Sequence, residues 1–287
     1  MGMRLKKARI TLAASMAIFG TLGAFVRNIS LAAGELSLYR AVLAAILLTG
    51  YFVVAGARFD WTALKQNMFL LLLSGGAMGI NWILLFEAYR YTTVSAATLS
   101  YYFAPVIVTA LCPVLFHEKM TGKQAVCFVM AAAGMVLITG VGNLRGGGSD
   151  LTGILFGLGA AVFYAAVVLL NKFMTGVSGL QRTFFQFLAS IIVLIPYVAL
   201  NGGFHLTELS GTGWANLLLV GLFHTGVTYC LYFTSLKDLP GQEASVLSFI
   251  DPLVAVIVSV VVLGENITVS QITGGCMVLG FAIWNEL

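Results

Sequence analysis

The chain repeats a short polar motif. Glu118, Thr121 and Gln124 recur as Glu265, Thr268 and Gln271, with the same E-x-x-T-x-x-Q spacing. The two copies lie 147 residues apart, the difference between positions 118 and 265, in a chain of 287 residues. Because this distance is about half the chain, the motif predicts an internal duplication in which each half forms one structural unit.

The composition predicts an integral membrane protein. Hydrophobic residues make up 60% of the chain and charged residues only 9%, with a mean hydropathy of +0.98, whereas soluble domains carry about 25% charged residues. The net charge of +4 falls in short loops, where topology explains it, so we expect no nucleic-acid partner. The four cysteines lie in apolar segments without short paired spacing, so we expect neither a zinc site nor a disulfide framework. We expect no metal and no other cofactor.

Hydropathy predicts ten membrane-spanning helices, since each needs about 20 largely apolar residues. They are placed at Ile10–Val26, Leu36–Ala55, Phe69–Tyr89, Thr93–Leu115, Lys123–Val141, Leu151–Leu170, Leu180–Ala199, Trp214–Leu236, Gln242–Leu263 and Ser270–Trp284. With five spans in each half, the second half must cross the bilayer in the opposite direction. The predicted fold is therefore an all-α polytopic membrane protein with two inverted five-helix repeats, residues 1–145 and 151–287.

Two local patterns refine this topology. Thr121 and Thr268 are each followed by Gln at the third position, which predicts capping boxes that start the fifth and tenth helices. All but four of the 15 Lys and Arg residues fall on the side of the membrane that holds the N-terminus. The positive-inside rule therefore predicts that both termini are cytoplasmic.

The chain resembles the EamA-like branch of the drug/metabolite transporter superfamily. The resemblance rests on the ten spans, on Tyr39-Arg40-Ala41 at the start of the second, on residues 86–92 (Phe-Glu-Ala-Tyr-Arg-Tyr-Thr) closing the third, and on two proline-to-glutamate stretches, 105–118 and 252–265. It implies a bacterial inner-membrane transporter whose central cavity is lined mainly by the first, third, fourth, sixth, eighth and ninth helices. Members are assigned to amino acids, amines, nucleotide-like metabolites and drugs. Glu87 departs from the pattern, which commonly has an apolar or small residue there.

Two ionisable residues near the bilayer centre are candidates for function. Asp251 lies in the ninth span directly before Pro252, where a charge costs at least about 2.5–3.5 kcal/mol. The alternative is that it satisfies backbone donors loosened near the proline. His224 in the eighth span could relay protons with Asp251, or could simply hydrogen-bond between helices. The residues 147 positions earlier are Ala104 and Ala77, so the duplicated fold itself requires neither group.

Glu87 and Arg40 are further candidates near the outer ends of their helices. Glu87 lies three residues before Arg90, so a local i,i+3 ion pair is one explanation. The other is a substrate-binding carboxylate at the mouth of the cavity, balanced by Arg40. Arg40 could equally anchor the second helix at the interface.

Aromatic residues could form the walls of a binding site. Trp82 and Tyr229 are related by the 147-residue displacement, as are Tyr102 and Phe249. Such rings could hold an organic cation with roughly 0.5–2 kcal/mol per contact, or could only pack between helices. Asn81 could orient a substrate or join two helices.

These patterns predict an exporter or exchanger of small metabolites such as amino acids, amines or organic cations. It would alternate access around a central cavity between the repeats, with protons as a candidate coupling ion through Asp251 and His224. Anionic or nucleotide-like cargo and a passive channel remain alternatives. We expect no enzyme activity, since no H-E-x-x-H, G-x-S-x-G or metal-cluster pattern occurs. The expected partners are the substrate and the lipid bilayer, and the sequence does not indicate an oligomeric state.

Overall fold

The computed structural model describes residues 2–26, 28–92, 97, 100–117, 119–139, 148–263 and 268–286, and this part of the chain forms helices and no strands. The helices are α1 (Gly2–Gly20), α2 (Leu22–Val26), α3 (Ala33–Val54), α4 (Trp61–Tyr91), α5 (Ala104–Phe116), α6 (Gly122–Thr139), α7 (Gly148–Phe173), α8 (Gly179–Leu200), α9 (Gly211–Leu218), α10 (Thr228–Leu236), α11 (Gly241–Leu247), α12 (Ile250–Leu263) and α13 (Val269–Glu286). A 3₁₀ turn covers Leu206–Glu208, and a π-helical segment, Leu219–Val227, joins α9 to α10.

These helices account for the ten predicted spans in chain order. Among the described residues, seven apolar stretches are long enough to cross a membrane, α5 and α6 are shorter apolar helices, and α13 occupies the tenth predicted span. The first, eighth and ninth spans are each built from more than one helix: α1 with α2, α9 to α10 through the π-helical segment, and α11 with α12. The predicted all-α membrane fold is confirmed, and its broken spans are a feature that hydropathy did not predict.

The capping box of the first repeat is present at the start of α6. The backbone N–H of Thr121 donates to the Gln124 side chain at 2.9 Å, and the N–H of Gln124 donates to the Thr121 hydroxyl at 3.2 Å. Each side chain thus satisfies a donor that the helix end would leave unpaired. Glu118 and Glu265 of the motif lie outside the described residues.

Helix packing follows the duplication. The third span, α4, packs on α7 and α8, and its counterpart, the eighth span, packs on α1 and α3. Likewise α5 packs on α7 while α12 packs on α1, and α6 packs on α13, its own counterpart. Exchanging the halves therefore converts each of these contacts into another that is present. With five spans per half, this pattern is that of inverted repeats.

Glycines let the two halves approach closely at equivalent places. A Cβ atom at Gly79 would lie 3.2 Å from the Ser190 carbonyl oxygen, where α4 meets α8. At its counterpart Gly226, a Cβ atom would lie 2.7 Å from the Leu47 side chain, where the eighth span meets α3. Such small-residue contacts are a usual means of helix association in lipid.

Charged groups join helices at the end of the bundle that holds the N-terminus. Arg4 pairs with Asp238 at 3.0 Å, and Arg9 pairs with Glu243, whose side chain is buried. Arg182 is also buried, and it donates to backbone carbonyls at the C-terminal end of α7. These contacts tie the first span to the start of the ninth, and the sixth span to the seventh.

Two adjacent glycines of α4 should respond differently to a methyl group. A Cβ atom at Gly75 would lie 2.5 Å from the Gln186 carbonyl oxygen, whereas one at Gly76 would find its nearest neighbour, Val193, at 3.9 Å. We expect Gly75→Ala to destabilise the protein by about 1–3 kcal/mol through overpacking, and Gly76→Ala to leave stability unchanged or slightly higher. Thermal unfolding in detergent measures both, and equal midpoints would contradict this packing.

Candidate functional site

A cavity of about 330 Å³ lies between the two halves. Its volume is in the range of small-ligand pockets. The spans that line it are the first, third, fourth, sixth, eighth and ninth, with the second in addition. The lining residues are Met16, Phe19, Gly20, Leu22, Gly23, Val26, Leu36, Arg40, Trp82, Leu85, Phe86, Tyr101, Tyr102, Tyr164, Tyr229, Tyr232, Asp251 and Ala255. Among these residues only Arg40 and Asp251 are charged.

Asp251 lies where the ninth span is broken. The α11 helix ends at Leu247, and Asp251 sits in the first turn of α12, where the helix dipole favours a negative charge. The Tyr102 hydroxyl is the hydrogen-bonding partner of its carboxylate. The first span passes directly beside it, since a Cβ atom at Gly20 would lie 2.5 Å from the Asp251 carbonyl oxygen. The break therefore places the carboxylate at the wall of the cavity.

Arg40 brings a positive charge to the same cavity from α3. Its side chain is buried, its Nε donates to the Thr225 hydroxyl at 3.0 Å, and its guanidinium lies over the Trp82 ring, 5.5 Å from the centroid. In the part of the chain that the structure describes, it has no carboxylate partner. A buried charge without a counter-charge is costly, so packing alone does not explain Arg40.

Aromatic rings form much of the cavity wall. Trp82 and Tyr229, the pair related by the repeat, meet edge to face with centroids 6.1 Å apart. The hydroxyls of Tyr164 and Tyr232 are 3.0 Å apart, and the Tyr101 ring lies 5.5 Å from that of Tyr164. Sequence reasoning missed Tyr164; the available signal was a hydroxyl-bearing ring in the middle of the apolar sixth span.

Three sequence candidates do not line the cavity. Asn81 donates to the Ala160 carbonyl of α7 at 2.6 Å and so joins two helices. Phe249 is buried in a separate apolar cluster between α6, α12 and α13. His224 is buried and its Nε2 lies 2.9 Å from the Thr21 hydroxyl, at the break between α1 and α2. Its hydrogen-bonding partner is therefore Thr21 and not Asp251.

Glu87 faces a neighbouring pocket of about 340 Å³, which shares Phe86 with the central cavity. Arg90 donates to both Glu87 oxygens at 3.0 and 3.2 Å, and the Tyr197 hydroxyl donates at 2.6 Å. The hydrogen bonds to Glu87 and its negative charge raise the pKa of the Arg90 guanidinium. The local ion pair that the i,i+3 spacing predicted is present, and Glu87 lies beside the Asp251 cavity rather than within it.

The repeat places residues of different chemistry at the position of Arg40 and at its counterpart in the second half. Its counterpart 147 residues later is Phe187. Arg40 lies over Trp82, and Phe187 lies against Tyr229, the counterpart of Trp82, with centroids 5.7 Å apart. The duplicated fold therefore provides the same contact twice, and only one copy carries a charge.

Asp251 and its hydrogen-bonding partner also have apolar counterparts in the repeat. The counterpart of Asp251 is the fully buried Ala104, and that of Tyr102 is Phe249. Asp251 and Tyr102 are two polar groups that meet at the cavity. The repeat-related pair, Ala104 and Phe249, is apolar. The polar part of the cavity is thus built from positions at which the halves differ.

Comparison with known proteins agrees with this architecture. The model of the EamA-like transporter family matches residues 6–140 and 151–285. The uncharacterized transporter YxxF of Bacillus subtilis is 31% identical over 94% of this chain and 86% of its own length. The threonine/homoserine exporter RhtA of Salmonella typhimurium is 24% identical over 86% of this chain and 80% of its own length.

A solved crystal structure supports the fold at lower identity. It matches with a TM-score of 0.84 over 98% of both chains at 16% identity, which bears on the fold alone. The family and its relatives are transporters, which points to membrane transport rather than catalysis. The two matched segments cover most of both halves, and on this evidence the chain belongs to the EamA-like transporter family.

Proposed function

We propose that this membrane transporter carries a small zwitterionic metabolite of the amino-acid type, bound between Arg40 and Asp251. The observation that carries the proposal is one cavity lined by one cation and one carboxylate, with no ion pair between them among the described residues. A ligand with a carboxylate and an ammonium group compensates both charges. A ligand with one charge leaves the other unpaired in a site of low dielectric constant.

The chemistry of Arg40 and of Asp251 favours one orientation of the ligand in the cavity. A guanidinium forms two parallel hydrogen bonds with a carboxylate, so the ligand carboxylate would meet Arg40. The ammonium group would meet Asp251 and the surrounding tyrosine rings, which attract cations. An amine or an organic cation would use only the second end, and an anionic metabolite would face Asp251. The similarity to a threonine/homoserine exporter supports an amino-acid cargo and outward transport.

Transport by alternating access accounts for the position of the cavity. Its lining residues include Leu22, Gly23 and Val26, at the end of the first span away from the N-terminus, while the ion pairs of Arg4 and Arg9 tie the opposite end. If the N-terminus is cytoplasmic, this state faces outward, and rocking of the halves would open the other side. Labelling of an N-terminal cysteine from outside intact cells would contradict the orientation.

Proton coupling is proposed at Asp251, whose carboxylate lines the cavity. His224, bonded to Thr21, would take part only through the break in the first span. Substrate flux into proteoliposomes should change when a protonophore collapses an imposed pH gradient. Unchanged flux would remove proton coupling and leave the substrate site untouched.

The two charged residues should control two different parts of the ligand. We test ligand-dependent thermal stabilisation with an amino acid, its decarboxylated amine and the carboxylic acid that lacks its amino group. Asp251→Asn should weaken the binding of the amino acid and of the amine by about ten-fold or more, since a charged hydrogen bond contributes about 1.5–3 kcal/mol. Arg40→Gln should weaken the binding of the amino acid to a similar extent and leave the binding of the amine unchanged.

Glu87→Gln is the matched control, because Glu87 is a carboxylate of the neighbouring pocket. It should leave all three responses as in the wild type. If the amino acid stabilised the wild type, Asp251→Asn and Arg40→Gln equally, the zwitterion proposal would be wrong. Stabilisation by amines alone would restore the organic-cation alternative.

Blocking the cavity should stop transport without unfolding the protein. Gly23 lines the cavity and a Cβ atom there would meet nothing within 4 Å. Gly23→Trp should therefore reduce counterflow in proteoliposomes by roughly ten-fold or more, because the ring fills the ligand volume. Gly50→Trp is the control, since that glycine also faces open space but does not line the cavity. Equal transport by the two variants would place the pathway elsewhere.

A further inference from the structure

The π-helical segment is an asymmetric feature of the eighth span. Its counterpart in the first half, residues 72–80, lies within α4 and is α-helical. Two threonine hydroxyls reinforce the wider turn, each reaching back five residues: Thr225 donates to the Val220 carbonyl at 2.9 Å and Thr228 to the Phe223 carbonyl at 3.0 Å. Since π-helical turns occur often at functional sites, this segment calls for a reason beyond packing.

Thr225 connects this segment to the binding site. Its side chain is fully buried, and its hydroxyl accepts a hydrogen bond from Arg40 Nε while donating its own proton to Val220. A hydroxyl has one proton and two lone pairs, so both bonds form together. With Nε satisfied and one face of the guanidinium on Trp82, the Nη groups are the part of Arg40 left to bind a ligand.

The repeat-related contact between the halves lacks this arrangement. The counterparts of Arg40 and Thr225 are Phe187 and Met78, both buried apolar residues. The duplicated fold is therefore satisfied by an apolar pair at these positions. The arginine of the first half meets the hydroxyl and the π-helical turn of the second at only one of the two repeat-related contacts, which indicates that they serve one purpose.

We propose that Thr225 is a positioning residue for substrate selection: it fixes Arg40 Nε so that the guanidinium presents its Nη groups to the ligand carboxylate. This inference rests on the proposed function and deepens it. It concerns the carboxylate end of the substrate alone. A loss confined to that end distinguishes positioning from a general structural role.

The experiment measures dissociation constants of the detergent-purified full-length protein for an amino acid and for its decarboxylated amine. Thr225→Val keeps the shape of the side chain and removes the acceptor for Arg40. The affinity for the amino acid should fall about ten-fold while that for the amine stays within about two-fold of the wild type, since only the carboxylate contact changes. Thr225→Ser, which keeps the hydroxyl, should restore the ratio of the two constants.

Thr228→Val is the matched control, because it removes the second hydroxyl bond of the π-helical segment without touching Arg40. Its ratio of amino-acid to amine affinity should equal that of the wild type. Thr225→Ala provides a second variant should the valine variant not fold, and both are checked by size-exclusion chromatography before binding.

Two results overturn the inference. Either Thr225→Val keeps the wild-type ratio, or Thr225→Val and Thr228→Val weaken both ligands equally, which would make the role structural. In both cases the zwitterion proposal stands as long as the wild type distinguishes the amino acid from the amine. A wild type that does not distinguish them overturns the proposed function and this inference together.

Discussion

The structure depends on how two opposite charges are held inside an apolar bundle. A lone charge in a bilayer is costly, and Arg40 and Asp251 share one cavity without neutralising each other. Each is supported by a hydroxyl, Arg40 by Thr225 and Asp251 by Tyr102. In the proposed function, the cavity, its aromatic walls and the broken helices around it keep these charges available to a ligand.

The duplication supplies the frame, and differences between its copies supply the site. Equivalent helices pack in equivalent ways, so each half provides the same positions facing the centre. At these positions one copy carries an apolar residue and the other a polar one, as with Phe187 and Arg40 or Ala104 and Asp251. In the proposed function, a symmetric scaffold thereby holds an asymmetric ligand, which has different groups at its two ends.

The sequence was sufficient for the fold class, and it indicated some of the residues that line the central cavity. The 147-residue displacement predicted the repeats, and hydropathy predicted the spans. Asp251 stood out because a charge and a proline interrupt an apolar run. The face that each residue presents could not be predicted, because it depends on breaks in the spans that hydropathy does not detect. For this reason Phe249, a predicted site residue, lies in a separate apolar cluster, whereas Tyr164 lines the cavity without having been a sequence candidate.

The most direct test of the account is an experimental structure of the protein with the amino acid that stabilises it most. The account predicts the ligand in the central cavity, with its carboxylate within hydrogen-bonding distance of the Arg40 Nη groups and its ammonium group at Asp251. A ligand in the Glu87 pocket, or one whose carboxylate points away from Arg40, would contradict it.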